Sequence, residues 1–135
     1  MELTEIINFF KDLPFWGWII LFFVYVFIFG DRKLWEYEVK FPLEAGIGRG
    51  EIEFECFKKK GAEIEVHLQL EPYYQHKHIE ILRNGISVYA IEPSQNIGKR
   101  IFIKKRTQLE KPAEGDKITV KIGGKDVFSG RLVLD

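Results

Sequence analysis

Only one cysteine occurs in the chain, Cys56, so no disulfide can close within it. That absence weighs against a small secreted domain stapled by bridges and agrees with a reducing compartment. Cys56 falls in GEIEFECF, in phase with Ile52 and Phe54, and no histidine adjoins it. It therefore reads as a small buried apolar residue rather than a nucleophile. Net charge is lacking too: 20 Lys and Arg balance 20 Asp and Glu. A balanced chain offers no electrostatic case for nucleic acid, which needs a basic patch or stripe.

Other motifs are missing as well. The glycines at 46, 48 and 50 in EAGIGRG are followed by a strand pattern and not by a helix, which removes the phosphate-cradle reading. There is no Ser-His-Asp order, activated cysteine or inward carboxylate pair, so a non-enzymatic role is expected. No internal repeat appears at a 20–50 residue period, and no helical period is visible after residue 33.

What the chain does have is one long uncharged run. Residues 13–30, LPFWGWIILFFVYVFIFG, are eighteen residues without a charged side chain. As a helix rising 1.5 Å per residue they would reach about 27 Å, close to the hydrocarbon thickness of a bilayer. A cleavable signal peptide would want a basic leader and a small-residue cleavage site, and MELTEIINFFKDL and GDRKLW supply neither. A helix in a soluble core would carry a polar stripe, which is absent.

The expectation is a transmembrane helix over 13–30. Asp12 is placed to cap it and Pro14 to occupy its first turn. Trp16 and Trp18 fall at the depth of an aromatic belt. Phe22, Phe23, Tyr25 and Phe29 present an aromatic surface to other helices, and Gly17 allows one close approach. Gly30-Asp31 ends the segment, and Arg32-Lys33 follow at headgroup depth. Basic residues near the span lie mainly on its C-terminal side, which predicts a single-pass protein of the cell membrane with its C-terminal domain in the cytoplasm, an uncleaved signal that exports the domain being the alternative. Before the span, Leu3, Ile6, Ile7 and Phe10 recur at helical spacing, predicting an amphipathic helix over residues 1–12 in the interface.

From Leu34 the apolar period becomes two. Trp35, Tyr37, Val39 and Phe41 alternate with Glu36, Glu38 and Lys40, and Pro42 is expected to close that strand. Strands follow over 51–58 and 62–70, with acidic outer faces expected to stay wet. HIEILR and ISVYAI flank Asn84-Gly85, the strongest short hairpin signal, which sets Ile81 opposite Val88 and Ile79 opposite Ala90. RIFIKKR, KITVKI and KDVFSGRLVL complete about eight strands, and Gly130 suggests a bulge in the last. Residues 34–135 thus predict an antiparallel β-sandwich of immunoglobulin-like size, with a small β-barrel as the alternative.

Three side-chain groups are candidates for function. His67, His76 and His78 would share one outer face if the third and fourth strands pair, as facial ligands for zinc or another divalent ion. Lys77 between them and the wide spacing favour a solvated polar face instead. Tyr73 and Tyr74, beside Lys77 on one loop, form a possible protein or sugar contact, or else cover an open end of the sandwich. Three basic clusters, 58–60, 99–100 and 104–106, would meet anionic headgroups if gathered at one end, against a mixed-sign solubilising surface as the plainer account. The expected function is a non-enzymatic interaction or structural module at the bilayer, an accessory subunit with a protein partner or self-association. The alternative is a membrane-tethered domain binding a metal or small ligand through the histidines.

Overall fold

Alternation of apolar and charged side chains begins at Lys33 and sets the architecture of everything after it. The computed structural model describes residues 3–12, 14–30 and 32–135, and the chain divides into two units, residues 1–31 and 32–135.

The first unit holds two helices, α1 (Leu3–Lys11) and α2 (Phe15–Phe29). Pro14 is extended, and its carbonyl accepts the N–H groups of Gly17 at 2.9 Å and Trp18 at 3.3 Å. No side chain caps this end, so the role expected of Asp12 is not filled; its own N–H bonds Asn8 O at 3.1 Å. At the other end the Gly30 N–H closes on Val26 O at 2.7 Å. The helix has 15 residues where the sequence suggests eighteen, because extended Pro14 precedes its start and extended Gly30 follows its end; Leu13 lies outside the described residues. Fifteen residues rise about 22 Å, short of the roughly 30 Å of bilayer hydrocarbon. Among the described residues, no helix is long and apolar enough to cross a membrane.

The second unit is built from nine strands: β1 (Lys33–Glu44), β2 (Gly48–Phe57), β3 (Gly61–Leu70), β4 (Ile79–Arg83), β5 (Ile86–Ile91), β6 (Arg100–Arg106), β7 (Lys117–Ile122), β8 (Lys125–Arg131) and β9 (Val133–Leu134). They form two antiparallel sheets, β6-β3-β2-β1-β9 and β5-β4-β7-β8. The inward rows of both, including Phe54, Ile64, Val66, Ile81, Ile118 and Val120, make one buried core. This is the arrangement of a β-sandwich.

Local departures from the expected pattern have clear causes. Pro42 does not end β1, which continues to Glu44. The pairing instead becomes irregular between Phe41 and Glu44, where a residue without an N–H does least damage. Asn84 and Gly85 both take positive φ, 50° and 84°, as a primed hairpin turn requires. Their strands carry a bulge, however, so Ile81 opposes Tyr89 and Ile79 opposes Ile91. The β7–β8 irregularity lies between Val120 and Lys121, not at Gly130. Gly130 serves another purpose: a Cβ there would stand 2.6 Å from Val39 Cγ2 and 3.3 Å from Phe41 Cε1. It lets β8 approach β1, where Phe41 and Phe128 stack at 5.2 Å. The expected last strand is thereby split, since the chain passes from one sheet to the other at fully buried Leu132.

The strand directions define two ends of the sandwich. One gathers the start of β1, the β2–β3 turn and the β4–β5 turn. The other gathers the β1–β2 turn, the loop 71–78, the loop 92–99 and the β7–β8 turn.

Candidate partner-contact site

At the second of these ends one buried amide ties the loop 71–78 to the loop 92–99. Proline at position 72 starts a 3-10 turn over Pro72–Tyr74, closed by Tyr74 N–H to Glu71 O at 3.0 Å and Gln75 N–H to Pro72 O at 3.2 Å. A second such turn, Pro93–Gln95, is closed by a reciprocal bond in which Glu92 N–H donates to Gln95 Oε1 at 3.1 Å. Between them Asn96 is fully buried. Its Nδ2 donates to Tyr74 O and Lys77 O, both at 2.9 Å, while its backbone carbonyl accepts the His76 N–H at 2.8 Å. Two carbonyl acceptors require the amide nitrogen at that position, which fixes the orientation of the side chain.

This latch sets out a small aromatic platform. Tyr74 packs against the core, whereas Tyr73 remains 62% exposed. Their rings meet edge to face at 5.0 Å, and Lys77 Nζ lies 3.6 Å from the Tyr73 ring centre. Ile97 is exposed on the adjoining loop. His76 is held at φ 62°, a conformation that non-glycine residues seldom adopt without a compensating interaction; here its N–H bond to Asn96 supplies one. An exposed tyrosine under a lysine, on a loop tied down by the Asn96 bonds, offers a large amphipathic contact at little cost in conformational entropy. Tyr74 thus covers the core at this end, one of the two roles expected of the pair, and Tyr73 stays exposed.

The histidines are not brought onto one face. β3 and β4 belong to different sheets, so the pairing that would have joined them does not exist. His67 lies opposite Glu51 and Phe102; its Nε2 is 2.9 Å from Glu65 Oε1 and its ring 4.5 Å from that of Phe102. His76 and His78 are exposed in the loop before β4.

The outer face of the five-stranded sheet carries the strongest electrostatics. Glu36 opposes Glu55, which opposes Glu63; Glu38 opposes Glu53, which opposes Glu65. These rows do not all stay wet. Glu55 is only 4% and Glu63 only 7% exposed, because Lys33 and Lys104 fold over them, with Lys33 Nζ 3.3 Å and Lys104 Nζ 3.6 Å from Glu55. Glu53, in the middle of the second row, is pushed up to about 7, first by burial, then by a hydrogen bond with Glu51 and the charges of Glu65, Glu51 and Glu36. Oxygens of Glu36, Glu53 and Glu55, and of Glu38, Glu53 and Asp135, come within 4.8 Å of one another. These are the described groups whose geometry suits a cation, and neither includes a histidine.

No protein-family model, no curated protein and no solved structure matches this chain. Asn96, which organises the site, gave no signal in EPSQNIGK beyond that of an ordinary turn former. Only its burial distinguishes it. The paired carboxylates were visible strand by strand, but their burial depends on Lys33 and Lys104, residues distant in sequence.

Proposed function

We propose that this protein is a single-pass, membrane-anchored β-sandwich that acts as a non-enzymatic interaction module, an accessory subunit of a membrane assembly. The observation that carries the reading is α2: fifteen consecutive residues without a charge, with Phe15, Trp16, Phe22, Phe23, Tyr25 and Phe27 each more than 60% exposed. An apolar surface of that extent needs lipid or another helix to cover it. At about 22 Å the helix is shorter than an average hydrocarbon core, and local thinning together with flanking residues that reach the interface meets the mismatch at modest cost. α1, with Leu3, Ile6 and Ile7 along one side, lies in the interface. The bias of Arg32, Lys33 and Lys40 over Lys11 supports a cytoplasmic sandwich.

The loop end bearing Tyr73 and Lys77 is the surface offered to a protein partner. Purification of the full chain in mild detergent through a C-terminal tag tests the reading. A membrane protein that co-elutes in fixed proportion with the wild type and is lost from Tyr73→Ala/Lys77→Ala is the expected result. A chain that fractionates with soluble protein, or a partner retained by the double variant, would overturn the anchor or the contact surface respectively.

A further inference from the structure

The opposite end of the sandwich, formed by the start of β1, the β2–β3 turn and the end of β6, gathers two of the three basic clusters and leaves the third behind. Lys33 pairs with Phe57, and the Lys58 N–H donates to Arg32 O at 2.8 Å, so the turn 58–60 is bound to the segment that follows α2. Arg106 lies opposite Glu63 at the start of β3, and the Thr107 N–H donates to Ala62 O at 2.9 Å. Lys99 and Arg100 are at the other end, where Lys99 O accepts the Leu70 N–H.

Lys58, Lys59 and Lys60 are exposed, as are Lys105 and Arg106. Half-buried Phe57 has Lys60 Nζ 5.4 Å from its ring centre, which holds one of these cations in place, with Lys33 Nζ 5.8 Å from the same ring. Apolar residues accompany the charge: Leu34 is 60% and Ile86, at the tip of the β4–β5 hairpin, 72% exposed. The acidic groups of this end are mainly engaged. Glu36 and Glu55 bond Lys33, and Asp116 bonds Arg83 at 2.7 Å, leaving Glu110, Glu114 and Asp135 exposed.

We infer that this end of the sandwich is a membrane-facing surface that binds anionic lipid headgroups through Arg32, the Lys58–Lys60 turn and Lys105–Arg106, with Leu34 and Ile86 entering the interface. The inference rests on the anchoring reading for its proximity. Whatever the angle between helix and sandwich, two residues of chain keep Arg32 within about 7 Å of Gly30. The hydrogen bond from Lys58 then keeps the lysine turn beside it. Clustered cations next to a membrane anchor are the arrangement that reads the negative potential of an anionic leaflet, and aliphatic side chains among them add apolar burial.

The test uses the full chain carrying Cys56→Ser and a fluorophore on Ile86→Cys, reconstituted in nanodiscs of phosphatidylcholine with or without phosphatidylserine. Blue-shifted emission and quenching by spin-labelled lipid are expected only with phosphatidylserine. They should be reversed by high salt and abolished by Lys58→Glu/Lys59→Glu/Lys60→Glu. A probe on Lys125→Cys, at the other end, should not respond. Emission indifferent to lipid composition, or unchanged in the charge-reversed turn, overturns the inference. A circular dichroism spectrum matching the parent and the milder Lys→Gln triple variant exclude misfolding as the cause. Co-elution with neutral discs reports the anchor separately. Incorporation without a phosphatidylserine response would sink this inference alone, salt-sensitive binding only to anionic discs would sink the anchor alone, and binding to neither disc sinks both.

Discussion

At the scale of single residues, Asn96 does more for the candidate site than either tyrosine. It is the one buried side chain that bonds both Tyr74 and Lys77, and nothing apolar can replace its two donors. Asn96→Ala should cost about 1–3 kcal/mol, the penalty for leaving buried carbonyls unpaired. Asn96→Asp should cost more, since it keeps the shape but sets a carboxylate against two carbonyl oxygens. Urea unfolding of both variants checks the order. Amide exchange at Gln75–His78 should rise in each before global unfolding. Equal stability of Asn96→Asp and wild type would mean that the loops are held by other bonds.

At the scale of elements, the outer face of the five-stranded sheet makes stability depend on pH near neutrality. Glu53 has its pKa raised to about 7 in the folded protein against an ordinary 4.5. The folded state therefore holds a proton that the unfolded state has released, and stability declines as pH rises between those values and levels off above them. Glu38 is raised too, chiefly by burial. Asp116 acts oppositely: the Ala113 N–H, Asn84 and Arg83 outweigh its burial and lower its pKa, so its contribution is lost only in acid, below the ordinary value of 3.8. The urea midpoint of the wild type should fall between about pH 5 and about pH 8, and Glu53→Gln should flatten that slope and raise the midpoint at the higher pH. Parallel profiles for the two proteins would rule out Glu53 as the titrating group.

At the scale of the whole molecule, the two sheets close on one another where β8 meets β1. Gly130→Ala tests that closure, because its methyl would meet Val39 and Phe41, side chains with no free end to swing aside. The expected loss is about 1–3 kcal/mol, as for other overpacked cores, and a Val39→Ala partner substitution should recover part of it. Full stability of Gly130→Ala alone would show that the sheets separate there without cost.

The sequence by itself determined the elements. Period-two alternation after Lys33 placed the strands, because each must bury one face. Asn84-Gly85 set its hairpin, because few residues tolerate two successive positive φ values. The uncharged run from 14 to 29 contained α2, although Pro14, extended in the fold, shortened it below the expected span. Tertiary structure alone decided which strands are neighbours. Alternation states which face is buried but not which sheet a strand joins, so His67 and His78 were free to seem adjacent until β3 and β4 proved to lie in different sheets. The same holds for the sheet change at Leu132, the burial of Glu55 under Lys33 and Lys104, and the sorting of the basic clusters between the two ends. Asn96 is the sharpest case. An asparagine in a polar loop looks alike in sequence whether it faces water or holds two loops together, and only packing tells the two apart.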